Sequence, residues 1–173
     1  MENFFRSFYI LVDILFTDPL ILVFLITLIL MVIIATVIGI IRDRLYHQRL
    51  LSSGILEVDK MNGRQFEEFL GAHFRDDGYH VKFTPKSRDY GADLIIKKRN
   101  EKIVVQAKRY KKNAVGIKAV QEVYAAKNYY NANHAWVITN NTFSSPAQKL
   151  AKKNGVKLIP RDQLIDLLNK KAS

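Results

Sequence analysis

Apolar residues follow two kinds of pattern along this chain, and the change comes near Gly54. Leu20 to Ile41 is a run of 22 residues without a charge. At 1.5 Å of rise per residue, such a helix crosses a hydrocarbon core of roughly 30 Å, so residues 20–41 are expected to form a transmembrane helix. A cleaved signal peptide would begin with basic residues and end a shorter apolar core at small ones, which this segment does not. Residues 4–16 (FFRSFYILVDILF) are apolar on nearly all sides except at Arg6, Ser7 and Asp13. They are too few to span a bilayer, and the central acid is costly in lipid, so residues 1–19 are expected to lie at the interface. Arg42, Arg44 and Arg49 follow the apolar run, whereas Asp13 and Asp18 precede it. The positive-inside rule then predicts a single-pass protein of the inner, cytoplasmic membrane with its C-terminal domain in the cytoplasm.

Residues 42–58 are expected to be a basic juxtamembrane linker, broken at Ser52-Ser53-Gly54. Beyond it the pattern alternates between periods of about 3.6 and 2. Asp59, Asn62 and Gly63 mark a helix start, and Phe66, Phe69, Leu70 and Phe74 give Arg64 to Arg75 one apolar stripe. Tyr79 to Thr84 is a short strand, and Pro85 to Tyr90 a polar, basic loop holding Asp89. Asp93 to Lys97 and Lys102 to Lys108 flank a charged tip, the pattern of a β-hairpin. Both faces of that hairpin are apolar, as in strands covered by helices on both sides. A helix is expected from about Ile117 to Tyr130, with Val120, Val123 and Tyr124 facing inward. The strand HAWVIT (His134 to Thr139) follows. Ser145-Pro146 opens a helix that Gly155 stops, Val156 to Ile159 is a last strand, and Pro160 to Lys170 a last helix. The order predicts an α/β domain over residues 59–170 with a central mixed sheet, and a short tail at 171–173.

Charge sharpens the picture. The net charge is +11, but residues 1–41 hold one arginine against three acids, so the remainder carries +13. A strongly basic domain calls for an acidic partner, nucleic acid or anionic lipid. No cysteine is present, which excludes disulfides and thiolate metal sites. His47, His73, His80 and His134 lack zinc-ligand spacing, and there is neither a glycine-rich phosphate loop nor a G-x-S-x-G elbow.

The hairpin carries the candidate chemistry. If Arg99 and Asn100 form its turn, paired residues have numbers adding to 199, so Asp93 faces Gln106 with Lys108 one diagonal step away. Gln106 and Lys108 point the same way, and paired positions lie about 5 Å apart at Cβ. Acid, amide oxygen and ammonium thus converge on one patch able to hold a divalent metal beside a phosphate. The rival account is a plain ion pair of Asp93 with Lys108, since an acid interrupting an apolar strand needs a partner. On the preceding helix, at 100° per residue, Glu67 lies on the flank of the apolar stripe, able to reach toward the sheet. Glu68 points nearly opposite and is expected to be solvated.

The blocks FEEFL, GYHV, DYGADLII, VVQAKRYKK, VQEVYAAKNYYNA, WVITN and LAKKNGVKLI, in this order, resemble the Mrr-type restriction endonuclease domain of the PD-(D/E)xK nuclease superfamily. The resemblance covers roughly Asp59 to Lys170. It implies a restriction-endonuclease-like fold and metal-dependent hydrolysis of a DNA phosphodiester, in restriction or another defence against foreign DNA. It further implies that Asp93, Gln106 and Lys108 occupy the superfamily's acid, acid-or-amide and lysine positions, and Glu67 that of the acid often supplied by the first helix. Asp93, Gln106 Oε1, the Ala107 carbonyl and Glu67 would then hold Mg²⁺ (or Mn²⁺). Gln106 departs from the Asp or Glu of many members. Arg109, Lys111, Lys112, Lys118 and Lys127 are the candidate phosphate contacts. The expected partners are double-stranded DNA, membrane lipid through residues 20–41 and a second copy of the chain. The alternative functions are a non-cutting DNA-binding or membrane-tethering module of the same fold, and a scaffold whose charge serves lipid.

Overall fold

The computed structural model describes residues 1, 4–10, 18–85, 87 and 90–169. The expectations for residues 11–16, Asp89, Lys170 and the tail at 171–173 lie outside the described residues. The chain divides into two compact units, Met1–Tyr46 and His47–Ser173. In the first, residues 4–10 are helical. Helix α1, Pro19–Ser52, begins here and runs on into the second unit. The Asp18 carboxylate caps it by accepting the Leu20 N–H at 2.9 Å. Its apolar side chains from Leu20 to Ile41 are largely exposed. By length and composition this helix suffices to cross a membrane.

The second unit begins at His47 and takes in part of the segment expected as a linker. Leu50, at the end of α1, and Val58, in the one-turn helix α2 (Ile55–Val58), are buried in the same cluster as Phe66, Phe69 and Leu94. Leu51 and Ile55 pack against that cluster as well, whereas Leu56 stays exposed.

Helix α3 (Gly63–Asp76) begins with a capping box. The Asn62 side chain accepts the Gln65 N–H and the Gln65 side chain accepts the Asn62 N–H, both at 2.9 Å. Strands β1 (His80–Phe83), β2 (Leu94–Lys98) and β3 (Glu101–Lys108) form an antiparallel meander. Helix α4 (Ile117–Tyr129) and helix α5 (Ser145–Asn154) are crossovers to parallel strands β4 (His134–Thr139) and β5 (Val156–Ile159), and helix α6 (Arg161–Asn169) closes the domain. The sheet order is β1-β2-β3-β4-β5. It is the predicted mixed sheet.

Both faces of the sheet are covered. Leu94, Ile96, Ile103 and Val105 pack against α3 and Leu164 of α6. Val104, Ala135 and Val137 pack against α4 and α5. Each fully buried large aliphatic or aromatic side chain contributes about 1.5–3 kcal/mol. The inner face of α4 differs from expectation: Ala119, Val120, Val123 and Ala126 are buried, whereas Tyr124 is exposed. Two alanines complete the stripe and let the helix lie close to the sheet. Helix α5 starts one residue later than Ser144, which caps it, and ends at Gly155 with φ 64°.

Candidate active site

The hairpin register follows the predicted sum: Leu94 pairs Val105, Ile96 pairs Ile103 and Lys98 pairs Glu101, with Arg99 at φ 53° in the tip. Regular pairing stops at Leu94, and Asp93 continues it with its side chain. Its N–H donates to the Val105 carbonyl at 2.8 Å. Its Oδ2 accepts the Gln106 Nε2 at 2.6 Å and the Ala107 N–H at 2.7 Å. A carboxylate thus stands where the next backbone acceptor of the ladder would be. Strand alternation turns Gln106 and Lys108 toward the α4 layer, on the side of Val104.

Gln106 is buried, and its Oε1 has no hydrogen-bond partner among the described residues. An unsatisfied amide oxygen costs roughly 1–3 kcal/mol. It lies on the same amide whose nitrogen grips Asp93, so a carboxylate and a bare hard oxygen share one place. That donor set fits Mg²⁺ or Mn²⁺, with Ala107 entering through its backbone. Among the described residues there is no group of three or more His, Asp or Glu able to hold a metal, so a metal here would rest on mixed ligands.

Lys108 finds a partner that the sequence pattern did not suggest. Its Nζ lies 3.1 Å from Oε2 of Glu122 on α4, with both side chains about one-quarter exposed. Lys118 approaches the other oxygen of Glu122 at 3.9 Å. Gly91 explains how α4 comes so close: it has φ +90°, and a Cβ there would stand 2.4 Å from the Glu122 carbonyl oxygen. The glycine two residues before the acid is the seat of the helix that brings Glu122 to the lysine.

Glu67 lies on α3, the helix of the opposite layer, where its Oε2 sits 3.1 Å from Arg64 Nη1. Glu68 is half-buried and held by the same guanidinium at 2.9 Å, so it is not the fully solvated residue expected. Burial works against the Arg64 charge, but the bonds to Glu68 and Glu67 outweigh it and raise its pKa. The structure brings Asp93, Gln106 and Ala107 together, Lys108 to Glu122, and Glu67 to Arg64.

Of the basic residues, Lys111, Lys112 and Lys118 are exposed and Lys127 is half-buried. Arg109 turns inward, donating from Nη2 to the Asp59 carbonyl. There it joins a network in which Arg161 holds the Asp59 carboxylate through two bonds of 2.7 Å and Asn140 Nδ2 donates to it at 2.8 Å. The Arg161 bond, opposed by burial and aided by Asn140, keeps the Asp59 carboxyl below the usual range. Asp59 thus ties the chain before α3 to the start of α6, rather than capping α3.

A mixed five-stranded sheet between helix layers, with this acid–amide–lysine set at the open end of its hairpin, defines a restriction-endonuclease-like domain. The chain belongs to the Mrr-type restriction endonuclease family, whose model (Mrr_cat, restriction endonuclease) matches residues 58–168. No curated protein matches it. Among solved structures it is similar in fold to the protein of unknown function AF1548, with 20% identity, TM-score 0.54, and coverage of 61% of this chain and 65% of that one. It is also similar to the DNA modification-dependent restriction endonuclease AspBHI, with 23% identity, TM-score 0.53, and coverage of 74% of this chain and 36% of that one. The chain therefore spans less than two thirds of either structure.

Proposed function

We propose that this chain is a membrane-anchored DNA endonuclease that hydrolyses phosphodiester bonds with a divalent ion, Mg²⁺ or Mn²⁺, on the cytoplasmic face of the inner membrane, in restriction of foreign DNA. The observation that carries the reading is the Asp93 carboxylate fixed by Gln106 and Ala107 beside the bare Gln106 Oε1. Asp93, Gln106 Oε1 and the Ala107 carbonyl would hold the ion, with Glu67 contributing after release from Arg64. A bound divalent ion supplies polarisation of the phosphate and a water of lowered pKa. Lys108 places a positive charge where the phosphorane develops negative charge. Glu122 holds that ammonium in position and would exchange part of its contact for the phosphate as DNA arrives. Lys111, Lys112 and Lys118 contribute phosphate contacts, and α1 keeps the domain at lipid. Two copies acting together would cut both strands.

The test is incubation of the full chain, solubilised in detergent, with methylated and unmethylated duplex DNA and Mg²⁺ or Mn²⁺. Cleavage is expected, and Asp93→Ala and Lys108→Ala each lower it by about 10²–10³-fold, the usual effect of removing one stabilising group. DNA binding without cleavage on every substrate would replace the enzyme with a tethering module. Cleavage undiminished in both variants would move the site elsewhere.

A further inference from the structure

Two residues along β2 from the acid of the site begins a groove that the phosphodiester chemistry does not use. On the α4 face of the edge strands, Lys82 pairs Ile95 and His80 pairs Lys97, so Asp93, Ile95 and Lys97 follow one another along one side of β2. At 3.3 Å per residue the groove begins about 7 Å from Asp93 and extends about 7 Å further. Its volume is about 520 Å³; Ile95 lines it, Lys82, Lys97 and Lys102 are its cations from the strands, Arg75 joins them from α3, and no acid among the described residues lines it. Its α4 wall ends at Tyr130, whose carbonyl accepts from Lys102 Nζ at 2.7 Å.

Tyr130 belongs to an aromatic cluster next to that wall. Tyr90 and Tyr129 stack with ring centroids 3.7 Å apart and planes 19° from parallel, and Tyr130 stands edge-on to both. The neighbouring Tyr90 hydroxyl favours the neutral form of Tyr129 and raises its pKa. Yet the stack is not buried: Tyr90 is 46% and Tyr129 55% exposed. Tyr90 also holds φ 52°, a conformation that costs a side-chain-bearing residue about 1–2 kcal/mol. Two large rings are thus displayed at a backbone cost, immediately before Gly91-Ala92-Asp93. Displayed rings beside a basic groove are the chemistry that holds unpaired nucleotides, phosphates on the lysines and bases on the rings.

We propose that the groove and the Tyr90–Tyr129 stack bind an unpaired stretch of DNA, a single strand or nucleotides extruded from a duplex, and lead it to Asp93. This rests on the nuclease reading for its consequence, since it names the form of DNA that the site receives. It does not need cleavage for its test.

Binding of the detergent-solubilised full chain to labelled oligonucleotides is measured by fluorescence anisotropy in EDTA, so that nothing is cut. The substrates are a single strand, a fully paired duplex, and a duplex with a central unpaired bubble. The single strand and the bubble should bind at least five-fold more tightly than the paired duplex; the bubble alone binding more tightly would assign the groove to extruded nucleotides, the single strand alone to free strands. Stacking is worth about 1–3 kcal/mol per base, so Tyr90→Ala and Tyr129→Ala should each weaken unpaired binding by roughly 5–150-fold and leave paired-duplex binding within two-fold. Tyr90→Phe should keep it, and an unchanged circular dichroism spectrum separates loss of the ring from loss of the fold. Lys97→Gln should lower the salt slope by about 0.7. Equal affinity for paired and unpaired DNA overturns the proposal, as does a preference that survives both alanine variants. Anionic vesicles that displace the oligonucleotide from wild type and Tyr90→Ala alike assign the charge to lipid and overturn it too. Cleavage of paired duplex without any unpaired preference leaves the nuclease standing and this inference fallen; tyrosine-dependent binding without cleavage does the reverse.

Discussion

Gly91→Ala tests whether the site depends on how closely α4 seats against the hairpin. Two costs combine at this position. The backbone φ of +90° lies in the region that L side chains rarely adopt, and the added Cβ would stand 2.4 Å from the Glu122 carbonyl oxygen, a backbone atom that can yield only if the helix moves. The first cost is about 1–2 kcal/mol and the overpacking about 1–3, so the variant should lose about 2–5 kcal/mol. Two other glycines separate the terms. Gly155 has φ +64° but nothing within 4 Å of an added Cβ, and Gly63 has neither feature. Gly155→Ala should lose only the backbone part, about 1–2 kcal/mol, and Gly63→Ala, in the first turn of α3, should be neutral or gain up to about 1. Trp136 is the single tryptophan of the chain and packs 6.1 Å from Phe74, so its fluorescence reports unfolding of the domain in a urea titration of the detergent-solubilised chain. If Gly91→Ala proves no less stable than Gly155→Ala, α4 is not seated by this contact. The variant should also lose cleavage at temperatures where it remains folded, since the displaced helix carries Glu122 away from Lys108.

Three further predictions follow from neighbouring contacts. Glu122→Gln removes the charge that anchors Lys108 at 3.1 Å; an ångström-scale misplacement costs up to about 10²-fold, so kcat should fall at least about ten-fold with KM within two-fold, and an unchanged kcat would show that the lysine positions itself. The Asp59 carboxyl is held low chiefly by the Arg161 bond, so its contribution to stability is complete above the unfolded value of about 3.9 and disappears as pH falls through the lowered folded value. Asp59→Asn should therefore lower stability at pH 7 and flatten the acid limb of a Tm-against-pH profile; a limb of unchanged slope would contradict this. Gln106→Glu removes the Nε2 donor and sets two carboxylates at the 2.6 Å contact. Without metal it should cost about 1–3 kcal/mol, and Mn²⁺ should raise its Tm by more than that of wild type; equal shifts would remove Gln106 from the metal site.

How far the sequence speaks for this protein depends on the range of each signal. The hairpin register was legible because strand alternation and a two-residue tip are local, and from them the side chains of Asp93 and Gln106 meet one step beyond the last regular pair. The helix and strand order was legible for the same reason, down to the Ser145-Pro146 entry and the Gly155 stop, although the cap itself is Ser144. What was not legible lies across the layers. Asp59 resembled part of a helix start, but its carboxylate is held by Arg161, more than a hundred residues away, and no local pattern announces that bond. Tyr124 carried the helical period of an inner residue, yet Ala119 and Ala126 fill the face because the helix must lie close to the sheet.

Glu122 shows where the missing information could be found. In sequence it is one acid on a mixed helix, indistinguishable from a solvated one. Gly91 is the residue that selects it, because only an absent Cβ at φ +90° lets the backbone of that one helical turn approach the hairpin. A glycine beside a candidate catalytic acid therefore asks which backbone it admits, and the answer names the side chains that accompany that backbone into the site. Here the admitted turn carries the partner of Lys108, and Tyr129, two turns along the same helix, meets the ring that Tyr90 extends from the other side of that glycine. The acid's neighbours in sequence thus position both the lysine's counter-charge and the aromatic platform, so a change at Gly91 should perturb catalysis and unpaired-DNA binding together, whereas a change at Glu122 should leave the tyrosines untouched.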